Sequence, residues 1–136
     1  MADFVEVKTQ DLSGAALDWS VAKSIGAYRG EYVVCEGGEP WPAWIFPEWF
    51  PVKATTGAFS PSADWAQGGP LIEKYGVDLS APPCIDTNRE IGWQARPDDG
   101  KTYWHSGDTP LIAACRAIVA SVHGETVSVP KELCHE

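Results

Sequence analysis

Nothing in this chain constrains its fold as tightly as the run Pro40-Trp41-Pro42-Ala43-Trp44-Ile45-Phe46-Pro47-Glu48-Trp49-Phe50-Pro51. Each proline fixes φ and removes a backbone donor, so neither a helix nor a central strand is expected here. The run reads as an extended, polyproline-like loop that carries three tryptophans and two phenylalanines. Two readings follow. The aromatics can lie over the core as a lid, or Trp41, Trp44 and Trp49 can form an exposed patch that docks a partner, since large apolar patches mark contact surfaces.

The regular elements must fit around that run. Val5 to Lys8 alternates and reads as a short strand. A helix follows, with Thr9, Asp11 and Ser13 all eligible as its N-cap. Its apolar stripe is Leu17, Val21 and Ile25, flanked by Leu12, Ala16 and Trp19, and Gly26 is placed to stop it. Tyr32-Val33-Val34 is strand-like and ends at Glu36-Gly37-Gly38. Ser60 or Ser62 is read as the cap of one helical turn through Asp64 and Trp65. Gly68-Gly69 is expected to break that turn, and Pro70 to open a new helix that runs to Tyr75 and ends at Gly76. Pro82-Pro83 marks a loop. Ile91 to Ala95 reads as a strand ended by the turn cluster Pro97-Asp98-Asp99-Gly100, with Tyr103-Trp104 as its partner strand. The last helix is the plainest element: Asp108 or Thr109 caps it, Pro110 lies in its first turn and Gly124 closes it. Leu111, Cys115, Ile118 and Val122 form its stripe, widened by Ile112 and Val119, while Arg116 and His123 fall outside. Thr126 to Val129 alternates as a final strand before Pro130.

At 136 residues the chain has the length of one domain with a core of its own. The formal charge of −9, with ten basic residues and none adjacent, argues against direct nucleic-acid binding, which needs clustered cations. An acidic protein can instead imitate DNA towards a basic partner, and that remains an alternative. No apolar run approaches the roughly 18 residues of a membrane span. The first residues lack the basic and apolar regions of a signal peptide, so a cytoplasmic setting is expected. The four cysteines, Cys35, Cys84, Cys115 and Cys134, form no Cys-x-x-Cys pair and are read as reduced.

Three blocks carry a family resemblance: Leu12 to Lys23, Ser60 to Glu73, and Thr109 to Arg116 continuing through Val119-Ala120-Ser121 to Val127-Ser128-Val129-Pro130. In this order they resemble the NinX-like family of small phage and prophage proteins. The blocks cover roughly half of the chain and leave out the Pro-Trp run and the surroundings of Cys84. The resemblance implies a context: genes of this family lie in accessory regions of temperate phages, among recombination and transcription-control functions. It carries over no activity and no catalytic residue, and it implies a bacterial cytoplasm reached by infection or from a prophage.

The densest candidate site is Asp64-Trp65-Ala66-Gln67-Gly68-Gly69-Pro70. Gly68 and Gly69 permit positive φ and close approach of a ligand. The amides ahead of the second helix offer an anion site, although Asp64 opposes one. The plainer reading makes Asp64 a local cap, Trp65 a core residue and the glycines a tight corner. If Trp65, Trp93 and Trp104 converge near that corner, they line an aromatic pocket together with Asp64, Gln67, Gly68 and Gly69. His105-Ser106-Gly107-Asp108 holds the side-chain types of a serine triad, but without a nucleophile elbow it reads as a turn and N-cap. His105, His123 and His135 are too scattered for a metal site. No catalytic residue, metal or cofactor is assigned.

The expected architecture is α+β. A small antiparallel sheet, built from the Trp93 and Tyr103 strands plus the terminal strands, packs against the first and last helices as a single domain. The expected function is a phage accessory protein that binds a host or phage protein without catalysis. The alternative is a small-ligand-binding protein or enzyme with its pocket at Trp65 to Pro70. Oligomeric state is left open.

Overall fold

A computed structural model describes residues 4–34, 40–51, 54–55, 59–81 and 92–133. The expectations about Cys35, Glu36-Gly37-Gly38, Pro82-Pro83, Cys84, Ile91, Cys134 and His135 fall outside those residues. In chain order the elements are β1 (Phe4–Lys8), a 3-10 turn (Thr9–Asp11), α1 (Gly14–Ser24), β2 (Tyr28–Val34), β3 (Pro40–Ile45) and β4 (Ala54–Thr55). There follow α2 (Trp65–Tyr75), β5 (Asp78–Ser80), β6 (Trp93–Arg96), β7 (His105–Gly107), α3 (Pro110–His123), β8 (Thr126–Pro130) and a closing 3-10 turn (Lys131–Leu133). The fold is α+β, with three helices and three small antiparallel sheets among the described residues.

The expected single sheet is in fact divided. The terminal strands pair with each other, Val5 opposite Val129 and Val7 opposite Val127. The Trp93 strand lies in a separate sheet of order β5-β6-β7. Its partner is not Tyr103-Trp104 but the next three residues, with Trp93 opposite Gly107 and Ala95 opposite His105. The cause lies at Gly107, where a Cβ would sit 2.6 Å from the Ala113 amide and 2.7 Å from the Ile112 side chain. Only a residue without a side chain lets this strand lie so close to the first turn of α3, and that fixes the register.

The proline run also departs from expectation. Pro40 to Ile45 is a strand, and it is the middle one of the sheet β2-β3-β4. Pro40 pairs with Val34 of β2 and Pro42 with Tyr32, and on its other side β3 pairs with β4 at Trp44 and Ile45. A proline has no amide to donate, so Pro40 and Pro42 can offer the sheet only their carbonyls.

α3 is the centre of the core. Thr109 accepts a hydrogen bond from the Ile112 amide at 3.1 Å, Pro110 occupies the first turn, and Gly124 ends the helix. Of the two caps proposed, Thr109 is the one used. Leu111 is buried, and Cys115, Ile118 and Val119 are buried in one cluster with Leu12, Leu17 and Val21 of the α1 segment and Leu71 of α2. Val122 leaves the expected stripe and is half exposed. The Cys115 thiol is buried, and burial raises its pKa, with Asp18 adding to the shift.

Both α1 and α2 end on a glycine of positive φ, Gly26 at 87° and Gly76 at 59°. Ala27 donates to the Ala22 carbonyl and Val77 to the Ile72 carbonyl, so each end is a Schellman turn. Phe46, Phe50 and Phe59 stack into the same core, with ring centroids 4.6 Å and 4.9 Å apart for the pairs made by Phe46.

Candidate functional site

The segment 59–70 is held from three sides. Ser60 accepts from the amides of Ala63 and Asp64, and the Ser60 amide donates to Gln67 Oε1 at 2.6 Å. The Ser62 amide donates to Asp18 Oδ1 on α1 at 3.0 Å. Burial raises the Asp18 pKa above its ordinary 3.8, against the opposing pull of the Ser62 hydrogen bonds. Asp64, not Ser60 or Ser62, caps the helix, accepting from the Ala66 amide at 2.9 Å.

That helix is continuous through Gly68, Gly69 and Pro70, so the expected break does not occur. Neither glycine has positive φ. Gly68 is a packing position instead: a Cβ there would lie 2.6 Å from both the Pro61 carbonyl oxygen and Leu111 Cδ2. Gly69 has nothing within 4 Å of a built Cβ. The anion reading loses its donors as well, because the amides of Ala66, Gln67 and Gly68 all bond to Asp64. Trp65, at the first position of α2, is 55% exposed and is not a core residue.

Trp93 is half-buried against a patch of Ala95, Ala113, Ala114 and Ala117. Trp104 is 41% exposed, and the Arg96 guanidinium lies 4.7 Å from its ring centroid. Among the described residues no ring contact joins Trp65, Trp93 and Trp104. In the proline run Trp44 is buried in the core, so its ring is not presented to a partner. Trp49 is half-buried, edge-on to Phe50 and Tyr75, with the Lys74 ammonium 5.1 Å from its ring. Trp41 is described only through its backbone, opposite Val33. The lid reading thus holds for Trp44, Phe46 and Phe50.

Among the described residues two adjacent exposed aromatics lie elsewhere, at Tyr103 and Trp104, and Tyr103 is 79% exposed. Tyr103 lines two clefts. One, of about 470 Å³, is bounded by Asp78, Arg96, Asp98, Lys101 and Thr102. The other, of about 400 Å³, runs along Ser121, Val122, His123 and Glu125 at the end of α3. Arg96 and Asp78 face each other across the β5–β6 pair with N and O atoms 3.7 Å apart. The approach to Tyr103 is a tight turn in which Asp99 accepts from the amides of Lys101 and Thr102 and from the Thr102 hydroxyl. Those bonds, the Thr102 hydroxyl foremost, lower the Asp99 pKa to about 2.

A polar tie fixes β7, the strand that directly follows this pair. The Ser106 carbonyl accepts from Arg116 Nη1 at 2.7 Å and from Gln10 Nε2 at 2.9 Å. The Ser106 amide donates to Gln10 Oε1, and Arg116 Nε donates to the Leu12 carbonyl at 2.8 Å. His105 is buried in β7 with Nδ1 3.0 Å from the Tyr103 carbonyl oxygen. The segment read as a turn and cap is therefore a strand locked to α3 and to the first 3-10 turn. Of the residues around this cleft the sequence reading singled out Trp104, and the structure adds Arg96, Tyr103, Asp78 and Asp98 beside it. The available signal was the acidic turn Asp98-Asp99-Gly100 directly ahead of two adjacent aromatics.

Among the described residues no three His, Cys, Asp or Glu side chains gather as a metal site. No helix among them is long and apolar enough to cross a membrane. A comparison with curated proteins finds no match. The family described as "Bacteriophage P22, NinX" matches residues 8–122, a span that includes the Pro-Trp run, the region of Cys84 and the Tyr103–Trp104 surface. The match takes in most of the chain, and the protein belongs to this NinX family of phage proteins.

Proposed function

We propose that this phage protein acts without catalysis, by docking a host or phage protein on the face formed by Tyr103, Trp104 and Arg96. The observation that carries the reading is the exposure of two neighbouring aromatics, 79% and 41%, on a segment whose backbone is fixed by the Gln10–Ser106–Arg116 tie. Tyrosine, tryptophan and arginine are the residue types that dominate protein-binding hot spots. Anchoring the two aromatics directly ahead of a strand held by that tie lowers the entropy lost on binding. The net charge of −9 favours a protein partner over direct contact with nucleic acid. Membership of a phage family makes the bacterial cytoplasm the proposed setting.

A second reading places a small ligand in the cleft of about 470 Å³, where Arg96, Asp98 and Tyr103 offer both charges and a ring. It replaces the expected pocket at Trp65 to Pro70, where Gly68 is already packed against Pro61 and Leu111. Affinity capture from a phage-infected bacterial lysate separates the two. The docking reading expects one retained protein, reduced about tenfold or more by Tyr103→Ala or Trp104→Ala in a folded bait. Equal recovery on every bait, with a metabolite that raises Tm, would favour the ligand. Salt-sensitive capture of a DNA-binding protein by all baits alike would favour the DNA mimic.

A further inference from the structure

Arg96 is placed as a ligand would be. Its guanidinium lies 4.7 Å from the Trp104 ring centroid and 3.7 Å from the Asp78 carboxylate. An aromatic face with a carboxylate beside it is the chemistry that recognises a guanidinium. One wall lies in the sheet and the other beside it: Asp78 is the cross-strand partner of Arg96, and Trp104 directly precedes β7. The Arg96 side chain is 46% exposed and that of Asp78 66%, so the contact is open to exchange with solvent and screened by it. The adjoining cleft carries a further carboxylate, Asp98, and the Tyr103 ring. Lys101 lines the same cleft, and the Asp99 carboxylate beside it in the turn offsets that charge.

We infer that the Trp104–Asp78 seat receives an arginine-bearing segment of a partner protein, and that Arg96 is its resident occupant, displaced on docking. The inference rests on the docking reading above and names the chemistry of the partner. The choice of a basic segment follows from charge complementarity: the chain carries 19 acidic against 10 basic residues. Exchanging one guanidinium for another keeps the ring contact and the ion pair intact, so the partner gains specificity at little electrostatic cost. The internal cation also keeps the seat shut against weakly basic proteins, which is a form of selection against wrong partners.

The test uses a hexa-arginine peptide as probe, with hexa-glutamate as control, against the full chain. Binding is followed by isothermal titration calorimetry, which reads every variant, and in chains that keep Trp104 also by NMR at its indole N–H, which the Trp104→Phe spectrum assigns. Arg96→Ala empties the seat and should bind hexa-arginine about tenfold more tightly than the unmodified chain, with affinity falling as salt rises. The double variant Arg96→Ala with Trp104→Ala should lose that gain. Equal binding by the unmodified chain and Arg96→Ala, or a gain that survives loss of Trp104, would overturn the inference. If capture from lysate still depends on Tyr103 and Trp104 while hexa-arginine ignores Arg96, docking stands and the arginine seat falls. The chemical shifts of residues far from the seat report whether each variant is folded.

Discussion

At the scale of single residues, Gly68 and Gly69 look alike in sequence and differ in the fold. Gly68 is pressed between the Pro61 carbonyl and Leu111, while Gly69 faces open space. Gly68→Ala should cost about 1–3 kcal/mol through overpacking. Gly69→Ala should be neutral or stabilise by up to about 1 kcal/mol, because alanine is the better helix former. Urea denaturation of both variants checks this, and equal shifts would contradict the packing account. Asp18 gives a pH signature. Burial raises its pKa in the native state, so that state holds the proton to higher pH than the unfolded chain does. The stability contributed by protonated Asp18 is full below the ordinary value of 3.8 and is lost as pH rises through the folded pKa. Asp18→Asn keeps an oxygen for the Ser62 amide and does not ionise. The variant should be more stable than the unmodified chain at neutral pH, and the difference should shrink below pH 3.8. Urea midpoints at both pH values decide it, and a variant less stable at neutral pH would refute the burial argument.

At the scale of elements, what could be read in the sequence tracks how local the cause is. The cap, proline and terminal glycine of α3 act within one turn of the residues that signal them, and all three are where the pattern puts them. The same holds for Gly26 and Gly76 as helix stops. α2 was misread because Gly68-Gly69-Pro70 disfavours a helix locally, yet Gly68, Leu71, Ile72 and Tyr75 fall on one face. Burial of Leu71 and the close approach at Gly68 outweigh the propensity. β3 departs from the pattern for a related reason: nothing local reveals that Pro40 and Pro42 lie opposite Val34 and Tyr32 of β2. Two variants probe the helix that anchors the core. Thr109→Ala should cost about 1 kcal/mol through the lost cap, and Ile118→Ala about 2–5 kcal/mol through a cavity. Val122→Ala, at a half-exposed position, should stay within about 0.5 kcal/mol. Thermal unfolding of the set checks the order, and a Val122 effect as large as that of Ile118 would contradict the placement of the core.

At the scale of the whole molecule, the candidate site illustrates the limit of reading by pattern. Seven tryptophans in 136 residues announce that aromatic surface matters, but their exposure depends on tertiary contacts. Trp44 is in the core, Trp93 covers an alanine patch and Trp65 faces solvent. Tyr103 became visible as the most exposed aromatic among the described residues only once β7 was seen to begin at His105 and leave it outside the sheet. The most direct measurement of the docking claim is photo-crosslinking in infected cells, with benzoylphenylalanine replacing Tyr103 and, as a control, Tyr28, which is 59% exposed on β2. A discrete crosslinked band at position 103 that is missing at position 28 is the result predicted. No band at 103, or the same bands at both positions, would contradict a partner docked on this face.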